Sequence, residues 1–207
     1  RRQRQMCIRD SITSGSITID GIDIRDLSLH SLRSHIAVVF QDNFLFSGSI
    51  RENILMGNPE ATEEELNQAI ESAHLQEMIE ELPDGIDTIL GERGMTLSGG
   101  QRQAITLLMA SIQKPRLLLL DEHTAALDPK TAAKVLEISD RIIADHHLTA
   151  MMVTHNMKDA IAHGNRLIMM DAGQVVVDVS GEEKKKLTVP DLLAMFSRAS
   201  GSDEASD

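Results

Sequence analysis

Apolar positions in this 207-residue chain follow two rhythms, short β-type runs and helical stripes, which alternate from residue 16 onward. Residues 16–24, SITIDGIDI, alternate apolar and polar around Gly21, and this pattern predicts strand, turn and strand. Residues 36–40, IAVVF, are a largely β-branched run suited to a buried strand. Over residues 62–82 a helix is predicted. Leu66, Ala69, Ile70 and Ala73 share one face of it, Thr62 and Glu65 form a capping box, and Glu63 and Glu64 suit the positive end of the dipole. Pro83-Asp84-Gly85 then ends it in a turn. A second helix is predicted over 98–113, opened by Ser98-Gly99-Gly100.

Four leucines, Leu117 to Leu120, make a short apolar run that stops at two adjacent carboxylates, Asp121 and Glu122. Such a run predicts a buried parallel strand that delivers acids at its C-terminal edge. Pro129 suits the first turn of the next helix, whose stripe of Val135, Ile138 and Ile142 runs to about residue 144. Residues 149–153 form a further strand, with His155 just beyond its end. Residues 166–171 and 174–179 predict a hairpin around Ala172-Gly173, and 190–197 a short helix. The tail, 200–207, is small and acidic and is expected to be disordered.

Composition narrows the function more than the fold. A hydrophobic content of 42% is ordinary for a globular protein, and no apolar run approaches the ~20 residues that span a bilayer. Membrane association is therefore expected through a partner, without direct insertion. A net charge of −12 disfavours nucleic acid and anionic lipid as general partners, and four Phe with no Trp or Tyr leave little for base stacking. The first eleven residues, RRQRQMCIRDS, match residue for residue an in-frame translation of a transposase-type sequencing adapter. They are expected to be non-native, the alternative being a basic arm. The single cysteine, Cys7, lies within them.

Candidate chemistry gathers at the strand ends, where open α/β sheets bind ligands. Asp121 can hold Mg²⁺ directly or through water, and Glu122 beside it can orient or deprotonate an attacking water. An acid there can equally cap the following helix. Ser98, Gly99 and Gly100 leave backbone amides uncovered at a helix N-terminus, a ready anion site, although Ser-Gly-Gly also suits a plain turn. His155 leaves its strand beside the two acids, where it can bridge a phosphate and a carboxylate.

In order, Leu97-Ser98-Gly99-Gly100-Gln101-Arg102-Gln103, Leu117 to Glu122 and Met151-Met152-Val153-Thr154-His155 resemble the signature motif, Walker B and switch-histidine loop of the ATP-binding cassette (ABC) transporter ATPases. The resemblance runs from about residue 14 to 197. It implies a P-loop NTPase-like α/β cassette with a mostly parallel sheet plus a helical subdomain, ATP and Mg²⁺ as ligands, and ATP hydrolysis driving solute transport. It also implies roles. Glu122 is the general base and Asp121 the Mg²⁺ acid. Gln41, at the start of a stretch like the Q-loop, contacts metal and water, and His155 contacts the γ-phosphate. Ser98, Gly99, Gly100 and Gln101, with Asp128 in a D-loop-like Ala126-Leu127-Asp128, complete the nucleotide site of a second cassette. Gln41 followed by Phe44 and Phe46 resembles the segment that meets transmembrane permease domains, the alternative being a core aromatic cluster. Gly91-Glu92-Arg93-Gly94 resembles a further stretch that touches coupling helices. The location implied is the cytoplasmic face of the inner or plasma membrane, peripheral through the permease.

Two departures from the pattern stand out. No Gly-Lys pair occurs anywhere, although a phosphate-cradling loop ends in Lys-Ser or Lys-Thr. The family places that loop ahead of SITIDG, where the adapter-like residues stand, so an N-terminally truncated cassette is expected, inactive alone; a catalytically silent interaction domain is the alternative. Residues ~15–103 resemble exporter cassettes and ~101–198 import-type ATPase subunits, which suggests two frames joined within the signature or an intermediate family. His123 also stands where proline or alanine commonly follows the acids. The expected organisation is 1–11 adapter-derived, 12–40 partial catalytic core, 41–113 Q-loop, helical subdomain and signature helix, 114–181 catalytic core, and 182–207 C-terminal helix and acidic tail.

Overall fold

The computed structural model describes residues 12, 14–42, 44–91 and 97–199. An antiparallel pair opens it, β1 (Thr18–Ile19) and β2 (Ile22–Asp23), turning through Asp20 and Gly21 at φ of 50° and 80°. Helix α1 (Leu29–Ser34), capped by Ser28, leads into β3 (Ile36–Val39). β4 (Gly48–Ser49) precedes α2 (Ile50–Leu55), a helix absent from the sequence reading although Ser49 and Glu52 form a complete capping box.

The helix predicted over 62–82 is two helices, α3 (Glu63–Ser72) and α4 (Gln76–Glu80). His74 adopts a left-handed φ of 50°, the Leu75 amide donates to the Ile70 carbonyl at 3.1 Å, and the His74 amide to Glu71 at 2.9 Å. These bonds form a Schellman stop, with histidine where glycine usually signals one. Redirecting the chain there buries Leu75 and Ile79 in the same core as Leu66 and Ile70. β5 (Ile89–Leu90) then pairs with β4.

Helix α5 (Gly99–Ser111) runs back to the sheet, with Ile105, Leu107 and Leu108 fully buried, and delivers the chain to β6 (Leu117–Asp121). α6 (Pro129–Asp145) and β7 (Thr149–Val153) follow. β3, β6 and β7 form a parallel sheet with β6 central, so the expected parallel character is met by these three strands. Ala37, Val39, Leu118 and Leu120 face one core with α5 and α6. Val38, Phe40, Met151 and Val153 are exposed, a departure from the two covered faces usual for parallel strands.

α7 (Met157–Ala162) leads to the hairpin β8 (Arg166–Asp171) and β9 (Gln174–Ser180), then α8 (Gly181–Lys185) and α9 (Val189–Ala199). Leu167, Val177, Val179 and Leu192 make a second, smaller core. Lys184 is buried beside it and donates to the carbonyls of Ile161 at 2.5 Å and His163 at 2.9 Å, closing the end of α7. A cation suits that negative helix end, while burial lowers the pKa of its ammonium. Among the described residues no helix is long and apolar enough to cross a membrane.

Candidate functional site

Parallel pairing brings three strand ends to one edge. Val39 lies opposite Leu120, and Asp121 opposite Val153, so Gln41, Glu122 and His155 each follow their strands onto the same rim. The Glu122 amide donates to the Val153 carbonyl at 2.9 Å, carrying the ladder one residue beyond β6. Asp121 and Gln41 are exposed. His155 Nδ1 stands 3.4 Å from Glu122 Oε1. Beyond the histidine, Asn156 caps α7 and its amide donates to Thr154 Oγ1 at 3.0 Å, holding His155 in a short turn. Two carboxylates and an imidazole thus share one open edge.

Glu122 has a left-handed φ of 47°, a conformation that costs a non-glycine residue about 1–3 kcal/mol. Its carbonyl accepts from the Ala125 amide at 2.9 Å, so the turn is tied on both sides. His123 then turns inward, 2% exposed, with Nε2 3.1 Å from Ser139 Oγ. Sequence reading marked His123 as a departure but missed Ser139, whose only signal is a hydroxyl on the apolar stripe of α6. In that stripe Ser139 is buried and the expected Ile138 is only half-buried. The neighbouring Asp140 holds the His163 ring at 2.7 Å.

Burial pushes the His123 pKa down to about 4, with the His163 charge adding to the fall and Asp140 opposing it. As pH drops from 6.5, the unfolded chain takes up this proton before the folded one. The contribution present above that value is therefore lost as pH falls through about 4, up to about 3 kcal/mol at 1.36 kcal/mol per unit. Urea unfolding at about pH 7 and about pH 4.5 is expected to show a stability loss that His123→Phe reduces; an equal loss in both proteins would contradict it.

Ser98 opens α5 with a complete capping box: its Oγ accepts from the Gln101 amide at 3.3 Å, and Gln101 Oε1 accepts from the Ser98 amide at 2.8 Å. No acidic residue occupies the first turn, which leaves the positive end of the helix suited to an anion. The glycines also have a packing reason. A Cβ on Gly99 would meet Leu127 Cδ2 at 3.0 Å, and one on Gly100 would meet Thr131 Cγ2 at 2.3 Å. Asp128 caps α6, accepting from the Lys130 and Thr131 amides at 3.1 and 3.2 Å, and the bonds from Thr131 hold its carboxyl below the usual range. Ser98 to Gln101 and the loop through Asp128 therefore meet each other, while the Ser98 hydroxyl bonds within its own cap. Phe44 and Phe46 are exposed and stack edge to face with centroids 4.9 Å apart, so they are not a core cluster. Of the stretch 91–94, only Gly91 lies within the described residues.

Donor chemistry can be tested against Mg²⁺. Among the described residues no three His, Cys, Asp or Glu side chains gather as a metal cage. Mg²⁺ is held by one or two carboxylates, with waters and phosphate oxygens supplying the rest, and a single exposed Asp121 at the rim fits that pattern.

A family model described as "ABC transporter" matches residues 4–125, more than half of the chain. The chain belongs to the ABC transporter family. The cassette is 39% identical over 192 residues to a "Tyrosine transport ATP-binding protein" of Clostridioides difficile, an alignment covering 90% of this chain and 76% of that protein. It is 42% identical over 176 residues to an "ATP-dependent lipid A-core flippase" of Desulfotalea psychrophila, covering 85% of this chain and 30% of that one. A solved bacterial Atm1-family ABC exporter with ATP bound superposes with a TM-score of 0.76 at 30% identity, over 100% of this chain and 35% of that chain. The cassette thus spans about a third or less of these two larger relatives. It is an α/β ABC ATP-binding domain, and single relatives align across both of its halves.

Proposed function

We propose that this cassette is the ATP-hydrolysing part of a transporter, in which two cassettes sandwich ATP and drive transmembrane permease domains at the cytoplasmic membrane face. The observation that carries the reading is the Glu122–His155 approach of 3.4 Å beside Asp121 on the sheet edge. Glu122 takes the proton of the attacking water, and His155, within reach of the same carboxylate, holds the γ-phosphate in place. Asp121 is the metal carboxylate, with Gln41 arriving from the neighbouring strand end to orient metal and water. Mg²⁺ held by Asp121 and Gln41 would supply positive charge to offset that of the phosphates. Ser98, Gly99, Gly100 and Gln101 offer their helix N-terminus, with Asp128 at its flank, to nucleotide on the second cassette. Phe44 and Phe46 stand exposed on the helical subdomain as the contact for the permease.

Mixing two defective cassettes tests the sandwich, each supplied with a phosphate-loop segment because this sequence holds no Gly-Lys pair. One carries Ser98→Arg, the other Glu122→Gln. Neither alone is expected to release phosphate from Mg-ATP. Their mixture regains turnover, since one of its two composite sites joins an intact edge to an intact signature. A mixture as inactive as its parts contradicts the shared site. The missing Gly-Lys pair also favours a second reading for the chain as given, a silent domain that binds partners without turning over nucleotide.

A further inference from the structure

Glu122 and His155 meet at 3.4 Å although neither is held by burial, their side chains being 35% and 70% exposed. The next residue, His123, is anchored by burial and a hydrogen bond. The Ser139 hydroxyl donates to the Val135 carbonyl at 2.9 Å, so its oxygen is left to accept from His123, whose Nε2 therefore carries the proton. Both members are buried, each 2% exposed, so this bond has no competing water. It fastens the residue after Glu122 to the middle of α6. The Glu122 amide is meanwhile fastened to β7, and its left-handed turn has no glycine to make that conformation easy.

We infer that His123, anchored through Ser139, is a positioning residue that holds the Glu122 turn and so sets the approach of its carboxylate to His155. With the anchor removed, the Glu122 amide still bonds to β7 and the Ala125 amide still bonds to the Glu122 carbonyl, but nothing then fastens the turn to α6. The turn shifts as a unit against α6, and the carboxylate swings away. The catalytic consequence rests on Glu122 acting as the base, whereas the geometric core does not.

The test reads geometry first, without nucleotide. In long-range 1H–15N spectra of the 207-residue chain at about pH 8, His155 is expected to show a Nδ1-protonated fraction about twice that of the exposed His30, because Nδ1 faces the Glu122 carboxylate. His123→Phe and Ser139→Ala should return His155 to the His30 pattern while unfolding stays cooperative. His123→Gln, which keeps a donor near the Nε2 position, should retain most of the difference. If His123→Phe does not fold, Ser139→Ala, which deletes one oxygen, carries the measurement. A folded variant with His155 unchanged, or a parent whose His155 matches His30, overturns the inference.

In a cassette supplied with a phosphate-loop segment, the same substitutions should lower kcat about tenfold to a hundredfold with KM for Mg-ATP unchanged, as misplacement of a reacting group does. Absence of turnover in the parent cassette would strike the proposed ATPase reading and leave the spectra to decide the positioning.

Discussion

Glu122→Gln is expected to lower steady-state phosphate release from Mg-ATP by about a hundredfold or more, in a cassette supplied with a phosphate-loop segment, while nucleotide still binds. Loss of a positioned general base costs about 10²- to 10⁴-fold, and the amide keeps the shape of the carboxylate but not its basicity. Three features single out this residue over its neighbour. Its carboxylate is the one that faces His155, its amide extends the β6–β7 ladder, and its φ of 47° turns the side chain off the strand axis. Asp121→Asn should act differently, weakening the Mg²⁺ dependence of binding before chemistry. If Glu122→Gln turned over like the parent, the attacking water would have to be activated elsewhere on this edge.

Gly100→Ala should destabilise the fold by about 1–3 kcal/mol, the usual cost of forcing an extra carbon into a packed contact. The new Cβ would stand 2.3 Å from Thr131 Cγ2, and Thr131 is β-branched and its amide is bonded to the Asp128 cap, so it has little freedom to yield. At about 2–4 °C per kcal/mol for a chain of this size, the melting temperature should fall by several degrees. Adding Thr131→Ser removes the opposing carbon and should recover most of that loss. The double variant separates two reasons for the glycine. In a cassette supplied with a phosphate-loop segment, restored stability together with ATP-driven association like the parent's means packing alone required it. Restored stability without association means a ligand also approaches that backbone. Failure of Thr131→Ser to rescue stability would contradict the packing account.

Much of this was legible in the sequence because the decisive signals are local. The leucine run stops at two acids because a strand must end where charge begins, and Leu118 and Leu120 are buried while Asp121 is exposed. Pro129 after Asp128 marks a helix start, and the structure caps α6 there. Other features depended on cues a pattern does not carry. The break at His74 replaces the customary glycine with a histidine, so periodicity alone read one helix where there are two. The short α2 is signalled only by the Ser49–Glu52 capping box, because its six residues are too few to show a helical stripe. Ser139 was invisible as a partner of His123, since nothing in spacing tells which residue of a helical stripe meets a side chain arriving from the turn after β6. The exposed sheet face at Val38, Phe40, Met151 and Val153 could not be foreseen either, because an apolar run reads the same whether one face is covered or both.

ATP hydrolysis at this sheet edge is tested most directly by Mg-ATP turnover of this 207-residue chain beside the same chain preceded by a strand and a Gly-rich loop ending in Lys-Ser or Lys-Thr. Turnover is expected only in the second, because the acids and histidine at the sheet edge can act only on phosphates that something else cradles. Turnover by the unaided chain, or none by a completed chain that folds and binds ATP with a permease partner present, would contradict the account.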